Sequence, residues 1–178
     1  MSAETLLPDG LVSSANYTSP LLSDFDDNPD TTTDYGTYDG SGNTDVLLDF
    51  PTPTGNPTSG AGLQSFTVAV TKNATGGNTP AYSLELWENG LLVSVLATGN
   101  LADNTSKQTF SGTWNASSLG TANGSLVQIK MLQTSGGTGT PGNRRGVQVG
   151  GAKWDVEYTD PSSSNIPAIN HQYRQIRG

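Results

Sequence analysis

The chain has no cysteine, a single histidine and two methionines in 178 residues. Without cysteine there is no disulfide framework, no thiol nucleophile and no thiolate-bound zinc. One histidine excludes metal sites built from several imidazoles. A Ser-His-Asp triad needs a histidine clamped by a third group. His171 stands instead in a Ser/Pro-rich tail, eighth from the end, where a solvated or partner-docked ring is the simpler assignment. Positive charge is also scarce, with eight Lys and Arg against sixteen Asp and Glu, for a net charge of −8. Residues 1–71 carry ten acids and no base, which argues against a nucleic-acid surface there because phosphates would be repelled. No apolar run approaches the ~18 residues of a membrane span. The start, MSAETLLPDG, has no basic stretch leading into an apolar one, so no signal peptide is expected. Sequons at Asn16, Asn73, Asn104, Asn115 and Asn123 follow from a composition rich in Asn, Ser and Thr.

What is present is turn chemistry and alternation. Gly (22) and Pro (10) are frequent, and such residues punctuate short strands and seldom fill helix interiors. Residues 1–44 show almost no apolar period. They read as an extended acidic segment with a short edge strand near Leu6–Val12. From Asp45 the period is two. Val46, Leu48 and Phe50 share a face, as do Phe66, Val68 and Val70, then Val127, Ile129 and Met131, then Ala152, Trp154, Val156 and Tyr158. Asn89-Gly90 is a two-residue turn pair in which both residues tolerate positive φ. The register it sets places Trp87 opposite Leu92, Glu85 opposite Ser94, Leu86 opposite Val93 and Leu84 opposite Val95. Gly112 marks a possible bulge in the strand SKQTFSGTW, and Gly150-Gly151 a bend or bulge near the end of the body. About eight short strands and no convincing helix predict an all-β antiparallel sandwich over residues 45–159, jelly-roll-like, with extended N- and C-terminal arms at 1–44 and 160–178. An immunoglobulin-type sandwich is the alternative.

Few residues offer chemistry. Glu85, Glu88, Asp155 and Glu157 are candidates for paired carboxylates, but outward strand positions are the ordinary place for acids. Asp26, Asn28 and Asp30 match the first half of a calcium loop. Thr31 stands where its glycine belongs and Thr37 where its glutamate belongs, so neither metal nor cofactor is expected. Trp87 lies opposite the Leu84/Leu86 face. With Leu92 it forms a candidate surface patch for a carbohydrate or receptor.

The stretches GLQSFTVAVTK, YSLELWENGLLV, TWNASSLGTANGSLVQIKM and VGGAKWDVEY occur in this order in a group of small proteins. Over roughly residues 44–159 the chain resembles the β-sandwich virion proteins of tailed bacteriophages. The resemblance implies a non-enzymatic structural part of a phage particle, assembled in the host cytoplasm. The role it suggests first is capsid decoration or cement, on the major capsid protein, other virion proteins or further copies of itself as a homo-oligomer. A neck or tail position is the alternative. No nucleic acid or membrane is implied as a partner. The C-terminal segment fits that picture as a gripping arm, with Ile166, Ile169, His171, Tyr173 and Ile176 as contacts and Arg174 and Arg177 placed to meet acids on a neighbour.

Overall fold

Alternating burial builds ten strands in the computed structural model, which describes residues 1–60, 62–101 and 105–159. They are β1 (Ser2–Leu6), β2 (Gly10–Ala15), β3 (Asp45–Asp49), β4 (Asn56–Pro57), β5 (Gln64–Lys72), β6 (Ala81–Glu88), β7 (Leu91–Asn100), β8 (Gln108–Trp114), β9 (Val127–Ser135) and β10 (Val147–Thr159). Among the described residues, helical backbone is confined to three short 3-10 turns, at Leu22–Asp24, Ala116–Ser118 and Pro141–Asn143. The strands form two antiparallel sheets. One runs β1-β10-β5-β8, with β4 also on β10; the other runs β2-β3-β9-β6-β7. With β2 and β4 set aside, the chain passes between the sheets in the double Greek-key order of a jelly roll.

The two inner faces meet over Val46, Leu48, Phe66, Val68, Leu84, Leu86, Ile129 and Val156, each at most 1% exposed. At one end Phe50, Phe66, Trp114 and Trp154 form a ring cluster, with Phe50–Phe66 centroids 5.3 Å apart and Trp114–Trp154 centroids 5.6 Å apart. Aromatic pairs of this kind contribute about 0.5–1.5 kcal/mol each beyond their area. The buried indole N–H of Trp154 donates to Oε1 of Gln64 at 3.1 Å. Gln64 in turn donates to the carbonyls of Thr58 and Glu157, so this polar group enters the core with its partners in place.

The N-terminal 44 residues are part of the sandwich, where the sequence reading places its start at Asp45. β1 pairs with β10 from Ser2↔Tyr158 to Leu6↔Trp154, and β2 pairs with β3. Phe25 is fully buried, and the Tyr17 hydroxyl donates to the carbonyl of Val147 at 2.8 Å. Burial raises the Tyr17 pKa well above the ordinary tyrosine range. The close approach continues at Gly151, where an added Cβ would lie 2.2 Å from the carbonyl oxygen of Asp27.

The β6–β7 turn has the expected geometry, with φ of 50° at Asn89 and 76° at Gly90. Trp87 faces Leu92 as read from the turn, but the rest of the register differs. Irregularities place Leu86 opposite Ser94, Glu85 opposite Val95 and Leu84 opposite Ala97, so Val93 and Leu96 are extra residues. Consecutive apolar runs, Leu91-Leu92-Val93 and Val95-Leu96-Ala97, cannot alternate strictly, and a bulge lets neighbours turn to different surroundings. Leu96 packs toward β8, where an added Cβ on Gly112 would lie 2.5 Å from its own Cβ. The pairing of β5 with β8 is continuous through Gly112, so that glycine makes room for Leu96 and forms no bulge. The bulge on β10 falls at Gly150, between Val149 and Gly151.

Candidate functional site

Register alone brings the polar and aromatic residues of the second sheet into rows on its outer face. One row runs Gly10–Asp49–Gln128–Trp87–Leu92 across all five strands. The next runs Leu47–Lys130–Glu85–Val95. Residues i and i+2 share a strand face, so Glu85 and Trp87 are neighbours along β6. The Trp87 indole N–H donates to Glu85 Oε2 at 2.8 Å, and Ser83 Oγ donates to Glu85 Oε1 at 2.9 Å. The Lys130 ammonium sits 4.9 Å from the Trp87 ring centroid, within cation–π range. The same ammonium pairs with Asp45 at 3.0 Å. The indole is thus fixed at its N–H and on one face by side chains that are themselves tied down. Trp87 is half-buried, while Leu92 (52%) and Val95 (50%) on the adjoining edge strand are exposed.

Beside this row lies a hollow of about 320 Å³ lined by Asp9, Asp49, Asn89, Ser125 and Gln128, with Phe50 among its walls. That volume is at the lower end of small-molecule sites, about 300–1,000 Å³. Gln128 joins hollow and turn. Its Nε2 donates to Asp49 Oδ1 at 2.6 Å, and its Oε1 accepts from the Gly90 amide at 2.7 Å. Trp87 was legible from the turn, whereas Asp9, Asp49 and Gln128 were not, because they join it only through the β3-β9-β6 strand order.

The other carboxylates considered from sequence are divided between the sheets. Glu85 and Glu88 are on β6, and Asp155 and Glu157 are on β10. Glu85 is engaged as described. Glu88 accepts from the amides of Gly120 and Thr121, each at 2.7 Å. Partial burial pushes its pKa up, but hydrogen bonds from Thr121 and Gly120 outweigh that and hold it below the usual glutamate value. Asp155 accepts from Thr5 Oγ1 at 2.6 Å and faces Lys153 at 3.4 Å.

The acidic loop is likewise occupied by its own fold. Asn28 Oδ1 accepts from the Asp30 amide, and Asp30 Oδ2 accepts from Lys153 at 2.9 Å. The hydrogen bond to Asp30 is the main cause of a raised Lys153 pKa. Asp26 is in a bridge to Gly151 of β10. Among the described residues no group of three or more His, Asp or Glu side chains is placed to hold a metal ion. The proposed arm residues Ile166, Ile169, His171, Tyr173, Arg174, Ile176 and Arg177 lie outside the described residues.

No family model and no curated protein sequence matches the chain. Solved structures with some likeness include the CBM35 from Cellvibrio japonicus Abf62, at 16% identity and a TM-score of 0.46, covering 89% of this chain and 95% of that one. The family 32 CBM from C. perfringens NanJ, in complex with galactose, has 14% identity and a TM-score of 0.45, covering 86% and 93%. The C-terminal CBM6 of LamC from Zobellia galactanivorans has 13% identity and a TM-score of 0.40, covering 88% and 100%. With TM-scores below 0.5, none of these likenesses says what this chain binds.

Proposed function

We propose that the protein is a non-catalytic binding module that holds a carbohydrate on the outer face of its β2-β3-β9-β6-β7 sheet. The observation that carries this reading is the setting of Trp87. Its indole is fixed by Glu85 and Lys130 and stands in one row with the Asp49–Gln128 pair and the hollow they line. A sugar ring presents apolar C–H faces and a rim of hydroxyls. An aromatic face with amide and carboxylate groups beside it is matched to both, and a ring already fixed loses little entropy on binding. The test is binding of a glycan array by the wild type and by Trp87→Ala. Binding lost in the variant, with an unchanged circular dichroism spectrum, supports the site. A wild type that binds no glycan removes the reading.

A second reading, the phage-particle component implied by the sequence resemblance, is favoured by a different feature. Leu91 (71% exposed), Leu92 and Val95 put an apolar surface on the edge strand β7, which carries no charged residue. Such a surface suits contact between copies or with another particle protein. Under this reading the protein co-purifies with virions. A copy number near that of the major capsid protein indicates decoration, about a dozen copies indicate the neck, and absence from particles refutes the role.

A further inference from the structure

We infer that the hollow beside Trp87 is the selective half of the site and that it admits uncharged glycans while rejecting those bearing carboxylate or sulfate groups. The inference rests on the carbohydrate reading above and concerns the same face. Its starting point is the hydrogen-bonding capacity left open in the hollow. Gln128 occupies Oδ1 of Asp49, and among the described residues no side-chain or backbone donor is bonded to Oδ2 of Asp49 or to the carboxylate of Asp9. Residue 10 is glycine, and a Cβ there would sit 3.2 Å from Asp49 Oδ2. The missing side chain leaves that oxygen approachable. Glu85 and Glu88, outside the hollow, are by contrast already bonded within the fold.

Two carboxylates with free acceptor positions select for donors. Hydroxyls of a neutral sugar supply them, and O–H···O⁻ bonds are short and strong compared with neutral ones. An anionic substituent supplies only further negative charge. Among the described residues no Lys, Arg or His lines the hollow. Lys130, on the neighbouring row, is paired with Asp45 and rests over Trp87. Asp9 and Asp49 are the charged residues among those described as lining it. The local field is therefore negative and repels anions before contact. Asp49 and Trp87 are two strands apart, a separation of roughly 10 Å from ordinary strand spacing. A neutral oligosaccharide laid along the row can contact both.

The test is calorimetric titration of the full chain with neutral oligosaccharides from cellulose, mannan and galactan, and with oligogalacturonate and sulfated galactan oligosaccharides. Wild type, Trp87→Ala and the isosteric double variant Asp9→Asn/Asp49→Asn are compared. At least one neutral ligand binds the wild type, and the anionic ligands bind at least about tenfold more weakly. The double variant loses affinity for the neutral ligand and narrows the gap. As a check independent of the variants, added salt narrows the same gap in the wild type, because it screens exposed charges. If an anionic ligand binds as tightly as the neutral ones, or if the gap ignores both salt and Asp→Asn, the selectivity is refuted; the carbohydrate reading survives if Trp87→Ala still abolishes binding. If no glycan binds the wild type, both fall together.

Discussion

The indole N–H of Trp87 is bonded at 2.8 Å to the carboxylate of Glu85, with one residue between them on β6. Ser83 bonds the other oxygen of the same carboxylate, so three successive outward residues form one chain. Glu85 is 6% exposed despite facing outward, since Trp87 and Lys130 lie against it. Glu85→Ala therefore leaves an indole N–H and a buried hydroxyl without their acceptor. The expected loss is about 1–3 kcal/mol of stability, read as a lowered urea midpoint. The Trp87 Nε1–H resonance shifts and exchanges faster with solvent. Glu85→Gln keeps the shape and one acceptor oxygen, and falls between alanine and wild type on both measurements.

Gln133 predicts a larger effect from a residue far from the candidate site. Its Oε1 accepts from the Thr44 amide and hydroxyl and from the Val147 amide, and its Nε2 donates to the carbonyls of Ser135 and Arg145. The side chain is 1% exposed and joins β9 to the start of β10 and to the residue before β3. Gln133→Leu matches its volume but leaves buried amides and carbonyls unpaired. A loss of about 3 kcal/mol or more is expected from chemical denaturation. A loss below 1 kcal/mol would mean that water replaces the amide.

The legible parts of this fold are those where chemistry and neighbours are local. Val46, Leu48 and Phe50, or Phe66, Val68 and Val70, declare a half-buried strand by alternation, and Asn89-Gly90 declares its turn by tolerance of positive φ. β1 was not legible because SAETL has no apolar pattern and is held by pairing with residues more than 140 positions away. Alternation puts Gln133 on the face of Val127, Ile129 and Met131 and Gln64 on that of Phe66, Val68 and Val70, but the partners that let an amide be buried there appear only once the strands are assembled. The site divides in the same way. Trp87 and Leu92 are joined by a two-residue turn, whereas Asp9, Asp49 and Gln128 reach them only through non-local strand order.

Glu88 gives a pH dependence with a definite sign. Hydrogen bonds from Thr121 and Gly120 favour its ionised form and lower its pKa. A lowered acid contributes stability above its unfolded pKa, about 4.3, and loses it as pH falls through the folded value. The contact between β6 and the turn at residues 119–121 is therefore intact at neutral pH and released in acid. In NMR titration the Glu88 side chain should have a midpoint below about 4.3, with the Gly120 and Thr121 amides moving alongside it. Glu88→Gln abolishes that shared transition. A midpoint above the unfolded value would show that burial outweighs the two amide bonds.

The apolar edge yields the last prediction, and it bears on the particle reading. β7 has no charged residue and no proline along its length, which are common protections of an edge strand. Its two bulges, at Val93 and Leu96, interrupt the regular ladder, so another copy meets Leu91 and Val95 through side chains more than through a continued sheet. Sedimentation of the wild type is expected to show reversible, concentration-dependent association. Leu91→Lys/Val95→Lys should remain monomeric over the same range. Because both side chains are at least half exposed, the substitutions should move folding stability by no more than about 0.5 kcal/mol. Association that persists in the charged variant places the contact elsewhere. A wild type that stays monomeric removes β7 as the surface on which copies meet.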